Sequence, residues 1–297
     1  MTVPPVRCSD AARARGDLVI GTASPATRWL LLEQESGWQA DVQASVQAPP
    51  AALAALERAL APASARLELI RRPHARGDGQ PARWCVVDTR LGVEAWGVRD
   101  ADGGWGGALD ALADPLAHGA APGAGLLLVC THGRHDQCCA VRGRPVVAAL
   151  AEAWPGPTWE CTHLGGDRFA ANVAVLPDGV LYGYVSGEDA VALVDGHRAG
   201  RVDRAKIRGV IGWAAHEQAA IVAAAEHLGT TPWDRAITIG RRSAPEGWHV
   251  QVVLAGRSVD VFGHNELAPP ARLTCSAPGP RSALVPVVDS VVPATRR

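Results

Sequence analysis

The sequence is short of several things, and each shortage excludes something. Of its 29 basic residues only Lys206 is lysine. Two tyrosines, two phenylalanines and one methionine leave tryptophan, with ten, as the main aromatic. The formal net charge is −1. Bulk electrostatics therefore point to neither a polyanion nor an anionic lipid surface, and no nucleic-acid or membrane partner is expected. No apolar run approaches the roughly 18–20 residues of a membrane span. The opening MTVPPVRCSDAARARGD lacks the apolar stretch of a secretory signal, which predicts a cytoplasmic protein. Familiar motifs are missing too. The chain has no GxxxxGK[ST], no GxSxG, no HExxH and no CxxC. Residues 77–82 (GDGQPA) match GxGxxA, but a predicted strand follows where a dinucleotide site needs a helix.

What is present suits a packed globular chain. Hydrophobic residues make up 47% and charged residues 20%. At 297 residues the chain is long enough for two or three domains. The best linker is Gly119–Gly125 (GAAPGAG), followed later by the uniform helical segment 214–228. These predict an N-terminal α+β domain (1–120), a central domain (121–229) and a small β-rich C-terminal unit (230–297).

Local patterns fill in these units. An Ala/Arg-rich helix follows Cys8. Strands are predicted at Trp29–Leu32, Leu67–Ile70 and Trp84–Val87, with helices over 51–62 and Leu109–His118. His74–Pro81 reads as a turn-rich connection. In the central domain Leu126–Val129 is a strand that ends at Cys130. The polar stretch Arg134–Arg144 is predicted as a loop holding Cys138 and Cys139, with Pro145 opening a helix. Strands follow at Thr158–Thr162, Val173–Leu176 and Val180–Val185. Ser186 and Asp189 then form a capping-box signature for a helix to about residue 199. The order β-α-β, β-β-α is that of a thioredoxin-like fold, so the expected class is α/β (α+β).

Seven cysteines, four of them within 32 residues and beside histidines, point to metal or redox chemistry in a cytosolic chain. In the expected fold Cys130, Cys138, Cys139, Cys161 and His163 leave neighbouring strand ends at one margin of the sheet. Soft sulfur and imidazole select zinc, Cu(I) or iron–sulfur clusters. The spacing Cys130-x8-Cys139 is neither a zinc knuckle nor a ferredoxin pattern, so it does not choose among them. His132 and His135 read as loop polar groups, and Cys8, Cys85 and Cys275 as structural.

The segments CTHGRHDQCCAVRGRPV (130–146) and THLGGDRFAANVAVLPDGVLYGYV (162–185) resemble the sucrase/ferredoxin-like family. RCSDAARARG, GTA and WLLLE within 7–33, and TCSAPGP around Cys275, add to the likeness. The resemblance implies a thioredoxin-like ferredoxin module that carries electrons on a [2Fe–2S] cluster. In fungal members the ligands are two cysteines and two histidines. The matching positions are Cys130, Cys139 and His163. The second histidine, in HxGGH, is replaced by Asp167. A carboxylate suits soft iron–sulfur sites poorly, so the fourth ligand is open among Asp167, Cys161 and Cys138. An unidentified redox partner protein is implied. Three other readings use the same residues: a cytosolic thiol oxidoreductase, a zinc-stabilised binding module with Cys130, Cys139, Cys161 and His163, and a metal-free scaffold in which the motif serves only as packing. The "sucrase" of the family name would need two opposed carboxylates, and no pair stands out.

Overall fold

The structure is a computed structural model, and it describes residues 6–73, 81–234, 237–242 and 246–294. Most of the expected connection His74–Pro81, and with it the glycines of the 77–82 motif, lies outside the described residues.

In the N-terminal part, α1 (Cys8–Arg15) leads to β1 (Arg28–Glu33), α2 (Pro50–Ala63), β2 (Arg66–Arg71), β3 (Arg83–Asp88), β4 (Val93–Val98), α3 (Gly106–Ala113) and β5 (Ala121–Pro122). The central part holds β6 (Leu126–Cys130), α4 (Gln137–Ala153), β7 (Thr158–Cys161), β8 (Val173–Leu176), β9 (Val180–Tyr182), α5 (Ala190–Arg198), β10 (Ile207–Val210) and α6 (Ala215–Leu228). Then come β11 (Thr238–Arg242), β12 (Trp248–Leu254), β13 (Arg257–Leu267) and β14 (Leu284–Pro293).

Strands β1–β10 form one sheet in the order β10-β9-β8-β6-β7-β2-β1-β3-β4-β5. Within it one arrangement occurs twice. β1 and β2 are parallel across α2, and β3 and β4 follow antiparallel on the other side of β1. β6 and β7 are parallel across α4, and β8 and β9 follow in the same way beside β6. The thioredoxin-like order expected for the central part is therefore present in the N-terminal part as well. The two copies meet edge to edge where β2 pairs antiparallel with β7, Ile70 opposite Cys161.

Burial explains the apolar strands. Leu30, Leu32, Leu67, Leu69, Trp84 and Val86 pack with Leu56, Leu60 and Leu112 of α2 and α3. The alternate residues Trp29, Leu31, Cys85 and Val87 join Leu126, Leu128, Trp159 and Leu176 in a second core shared by both copies. β1 is buried on both faces, so its sequence reads as a continuous apolar run. Trp96 of β4 stacks on Trp159 of β7, ring centroids 5.9 Å apart, although four strand places separate them. The sheet therefore curls around this core.

α6 bridges to the second sheet, β11-β12-β13-β14, which is antiparallel throughout. Its small side chains Ala220, Ala223 and Ala224 let it lie against Val210 of β10 and Val250, Val252 and Val261 of the C-terminal sheet. Among the described residues no helix is long and apolar enough to cross a membrane.

Some boundaries differ from expectation, for physical reasons. The helix expected over 109–118 spans 106–113, because Pro115 cannot continue it. The larger correction is α4. It opens at Gln137 and not at Pro145, because the Asp136 carboxylate accepts the Cys138 N–H and caps the helix. Cys138 and Cys139 thus lie in a first helical turn and not in a loop, and Pro145 is tolerated inside the helix. The reciprocal bonds of the expected capping box are present, with Ser186 N–H donating to Asp189 (2.9 Å) and Asp189 N–H to the Ser186 hydroxyl (3.3 Å), but they close a turn ahead of the helix, which starts at Ala190 with Asp189 as its N-cap and no side-chain cap.

Gly143 sets how closely α4 approaches β6. A Cβ there would lie 2.2 Å from the Cys130 carbonyl oxygen and 3.2 Å from Thr131. Gly143→Ala is expected to cost about 1–3 kcal/mol in denaturant unfolding. Gly156→Ala, where a Cβ meets nothing within 4 Å, should stay within about 0.5 kcal/mol of the parent.

Candidate metal centre

Three elements deliver the site. Cys130 ends β6, Cys139 sits in the first turn of α4, and His163 follows β7. Their ligand atoms, two Sγ and one ring nitrogen, lie within 4.8 Å of one another. Both cysteines are fully buried, while the His163 side chain is 22% exposed and forms the rim. Asp167 closes the group. Its Oδ1 accepts from Cys139 Sγ at 3.3 Å and lies 3.0 Å from His163 Nδ1. That last distance suits an ion pair, but the ring nitrogen is not aligned for a hydrogen bond and has no other partner. A buried ring nitrogen without an aligned hydrogen bond stands beside two thiols, a donor set that fits a soft metal ion or an iron–sulfur cluster.

The charges are arranged for ligation. Cys130 is held well below the usual thiol range, because the Cys139 thiol donates to it and His163 adds to this against burial. The hydrogen bond to Cys130, with burial behind it, pushes Cys139 the other way, well above that range. His163 is raised to about 9: burial opposes its charge, but Asp167 and Cys130 outweigh burial. Asp167 falls below the usual carboxylate range, since His163 more than offsets burial. Without an ion the group is a thiolate, an imidazolium and a carboxylate, whose net charge of about −1 favours a cation. Binding a cation would release the protons of Cys139 and His163.

The walls come from both copies of the strand order. His135 stacks on His163, centroids 3.7 Å apart, and its Nε2 lies 3.6 Å from Asp167. His135 Nδ1 is anchored at the Ala40 carbonyl (2.9 Å) and His132 at that of Gln39. Trp38 packs edge-on against His132. Both histidines thus make the backbone contacts expected of loop polar groups, and His135 in addition joins His163 and Asp167 as a possible ligand set. Its place in HisAspGlnCysCys, just before the cysteine pair, was the available signal.

A buried guanidinium shapes the HisLeuGlyGly loop. Arg208 donates to Gly165 O (2.8 Å), Asn172 Oδ1 (3.0 Å), Thr22 Oγ1 (3.0 Å) and Thr22 O (2.5 Å). Gly166 has φ +67°, and a Cβ there would come within 2.7 Å of the guanidinium. Only glycine gives both the left-handed turn and the space. From the other side Arg66 donates to the His163 carbonyl, and the Thr162 hydroxyl donates to buried Glu68.

The remaining cysteines are sorted by the fold. Cys161 pairs with Cys130 across parallel strands and is buried in the shared core. It is not among the donor atoms grouped with Cys130, Cys139 and His163. Cys138 turns away from Cys139 and meets Cys8 and Cys275 instead. Cys85 lies in the core. Cys8 and Cys275 were expected to be structural; their signal was that both sit in segments carrying the family likeness.

The sequence model of the sucrase/ferredoxin-like family matches residues 19–209. The chain belongs to that family. No curated protein matches it. Among solved structures it is similar to a cysteine-to-serine variant of the thioredoxin-like [2Fe–2S] ferredoxin from Aquifex aeolicus. Identity is 24%, the match covers 28% of this chain and 96% of that one, and the TM-score is 0.26. In this family member the candidate centre lies where β6, α4 and β7 meet, and its buried cysteine-rich groups are candidate metal sites.

Arg208→Met would strand Asn172 Oδ1 and three other acceptors. It is expected to cost about 3 kcal/mol or more in denaturant unfolding. A loss below 1 kcal/mol would show that the loop does not depend on this guanidinium.

Proposed function

We propose that this protein is a one-electron carrier holding a [2Fe–2S] cluster on Cys130, Cys139 and His163, with Asp167 as the fourth ligand. The observation that carries this is the convergence of those three donors within 4.8 Å in a sucrase/ferredoxin-like chain. When bound, the cluster supplies reversible one-electron transfer and no bond-making of its own. Cys130 and Cys139 provide thiolates from a dry pocket. His163 provides a neutral nitrogen at the rim. Replacing thiolate by imidazole removes negative charge and raises the potential.

Asp167 is favoured over Cys161 and Cys138 as the fourth ligand because it already touches Cys139 and His163. Arg208, Arg66 and the stacked His135 hold the loop and keep its ligands in place. Electrons would pass through His163, the most exposed member. A cavity of about 780 Å³, lined by His135, His163, Arg66 and the Ala40–Gln43 segment, opens beside it. That face is proposed to receive the redox partner protein, in a cytoplasmic setting.

The test is protein purified without oxygen and supplied with iron and sulfide. It should be brown, hold about two irons per chain and bleach on dithionite. Cys130→Ser and Cys139→Ser should each abolish iron uptake. His163→Cys should keep iron and lower the midpoint potential by on the order of 100 mV or more. A colourless protein with one zinc shared by Cys130, Cys139 and His163 would instead make this a zinc-stabilised binding module. A metal-free protein with a fast-reacting thiol would make it a thiol oxidoreductase.

A further inference from the structure

A second sulfur group lies on the other side of the α4 N-terminus. Cys8 Sγ is 3.5 Å from Cys138 Sγ, Cys138 Sγ is 3.3 Å from Cys275 Sγ, and Cys275 Sγ is 3.5 Å from Cys8 Sγ. The three form a nearly equilateral triangle. They come from the first residue of α1, the first turn of α4 and the connection between β13 and β14. More than 120 residues separate each from the next. Packing alone does not require three sulfurs to converge with equal spacing. A disulfide would use two of them and leave the third without a role.

The surroundings are those of a cation site. The α1 and α4 N-termini both direct their positive ends at it, which favours thiolates. Asp136 is 3% exposed and lies among the sulfurs. Its Oδ1 accepts the Cys138 N–H (2.8 Å) and its Oδ2 the Cys275 N–H (2.6 Å). The two oxygens stand 3.9 and 3.8 Å from Cys8 Sγ. One carboxylate therefore fixes the backbone of two sulfur donors and still has a lone pair facing the group. All four ligand atoms lie within 4.8 Å of one another. Tetrahedral bonds of about 2.3 Å put sulfurs about 3.8 Å apart, so the triangle needs to open by only a few tenths of an ångström. A cavity of about 610 Å³, lined by Cys8, Cys275, Asp136 and Arg134, gives a way in.

We propose that Cys8, Cys138 and Cys275 bind one zinc ion, with an Asp136 oxygen at the fourth position. Three thiolates select a soft cation, and the carboxylate favours zinc over Cu(I). The ion replaces the thiol protons, which pass to solvent, and no redox change occurs. It ties the α1 N-terminus and the C-terminal unit to the residue next to Cys139. The site is independent of the cluster reading, because the two donor sets share no residue.

The test counts zinc and iron per chain by mass spectrometry in full-length protein handled without oxygen. The parent should hold about one zinc, whether or not it holds iron. Cys275→Ser changes a half-buried loop residue, and its circular dichroism should match the parent. Zinc in this variant should fall below about a tenth per chain with iron unchanged. Cys130→Ser should lose iron and keep zinc. In the parent, zinc should protect Cys8, Cys138 and Cys275 from alkylation, and a chelator should expose all three together. Zinc unchanged in Cys275→Ser would overturn the proposal. So would copper in place of zinc, or a disulfide among the three cysteines with no metal bound.

Discussion

The Asp136 carboxylate is the fixed point around which the chemistry of this protein is laid out. It caps α4 through the Cys138 N–H and so decides where the helix begins. Successive helical residues lie about 100° apart around the axis. Once Asp136 sets the start, Cys138 must face one way and Cys139 another. Cys139 turns to Cys130 and Asp167, and Cys138 turns to Cys8 and Cys275. A start one residue later would put Cys139 where Cys138 now stands. The close approach of α4 to β6 over Gly143 depends on the same geometry.

The doubled strand order gives the site its second wall. A single β-α-β, β-β-α unit would leave the loops after β6 and β7 open to water. Here the edge of one unit is paired with the edge of the other through β2 and β7. Arg66 and Glu68 then reach the loop that carries His163, and the segment at Trp38–Ala40 holds His132 and His135 ahead of α4. The N-terminal part thus shields and positions the centre while contributing none of its sulfur ligands.

Buried charge is compensated at each step. Arg208 hydrogen-bonds to neutral oxygens and so fixes the loop, while its charge is offset through space by Cys130 and Asp167. Glu68 is pushed up by burial and is answered by Arg66 and Thr162. Such networks contribute little net stability, but losing one partner is expensive, so they specify a single arrangement.

The sequence by itself determined the strands with continuous apolar runs, the reciprocal Ser186–Asp189 pair, the helix over 214–228 and a gathering of Cys130, Cys138, Cys139, Cys161 and His163 at one sheet margin, from which the family resemblance picked out Cys130, Cys139 and His163. Each is written locally, in periodicity, in capping chemistry or in the rule that parallel neighbours end at the same margin. The start of α4 was misread because Pro145 is a strong local signal that outweighed Asp136, a cap residue just as local. The repeat of the strand order left no repeated residues to find, since topology constrains burial and not identity. The meeting of Cys8, Cys138 and Cys275 was decided by tertiary structure alone. Contacts across more than 120 residues leave no periodic trace, and α1, α4 and the C-terminal sheet must all be docked before the three sulfurs are neighbours.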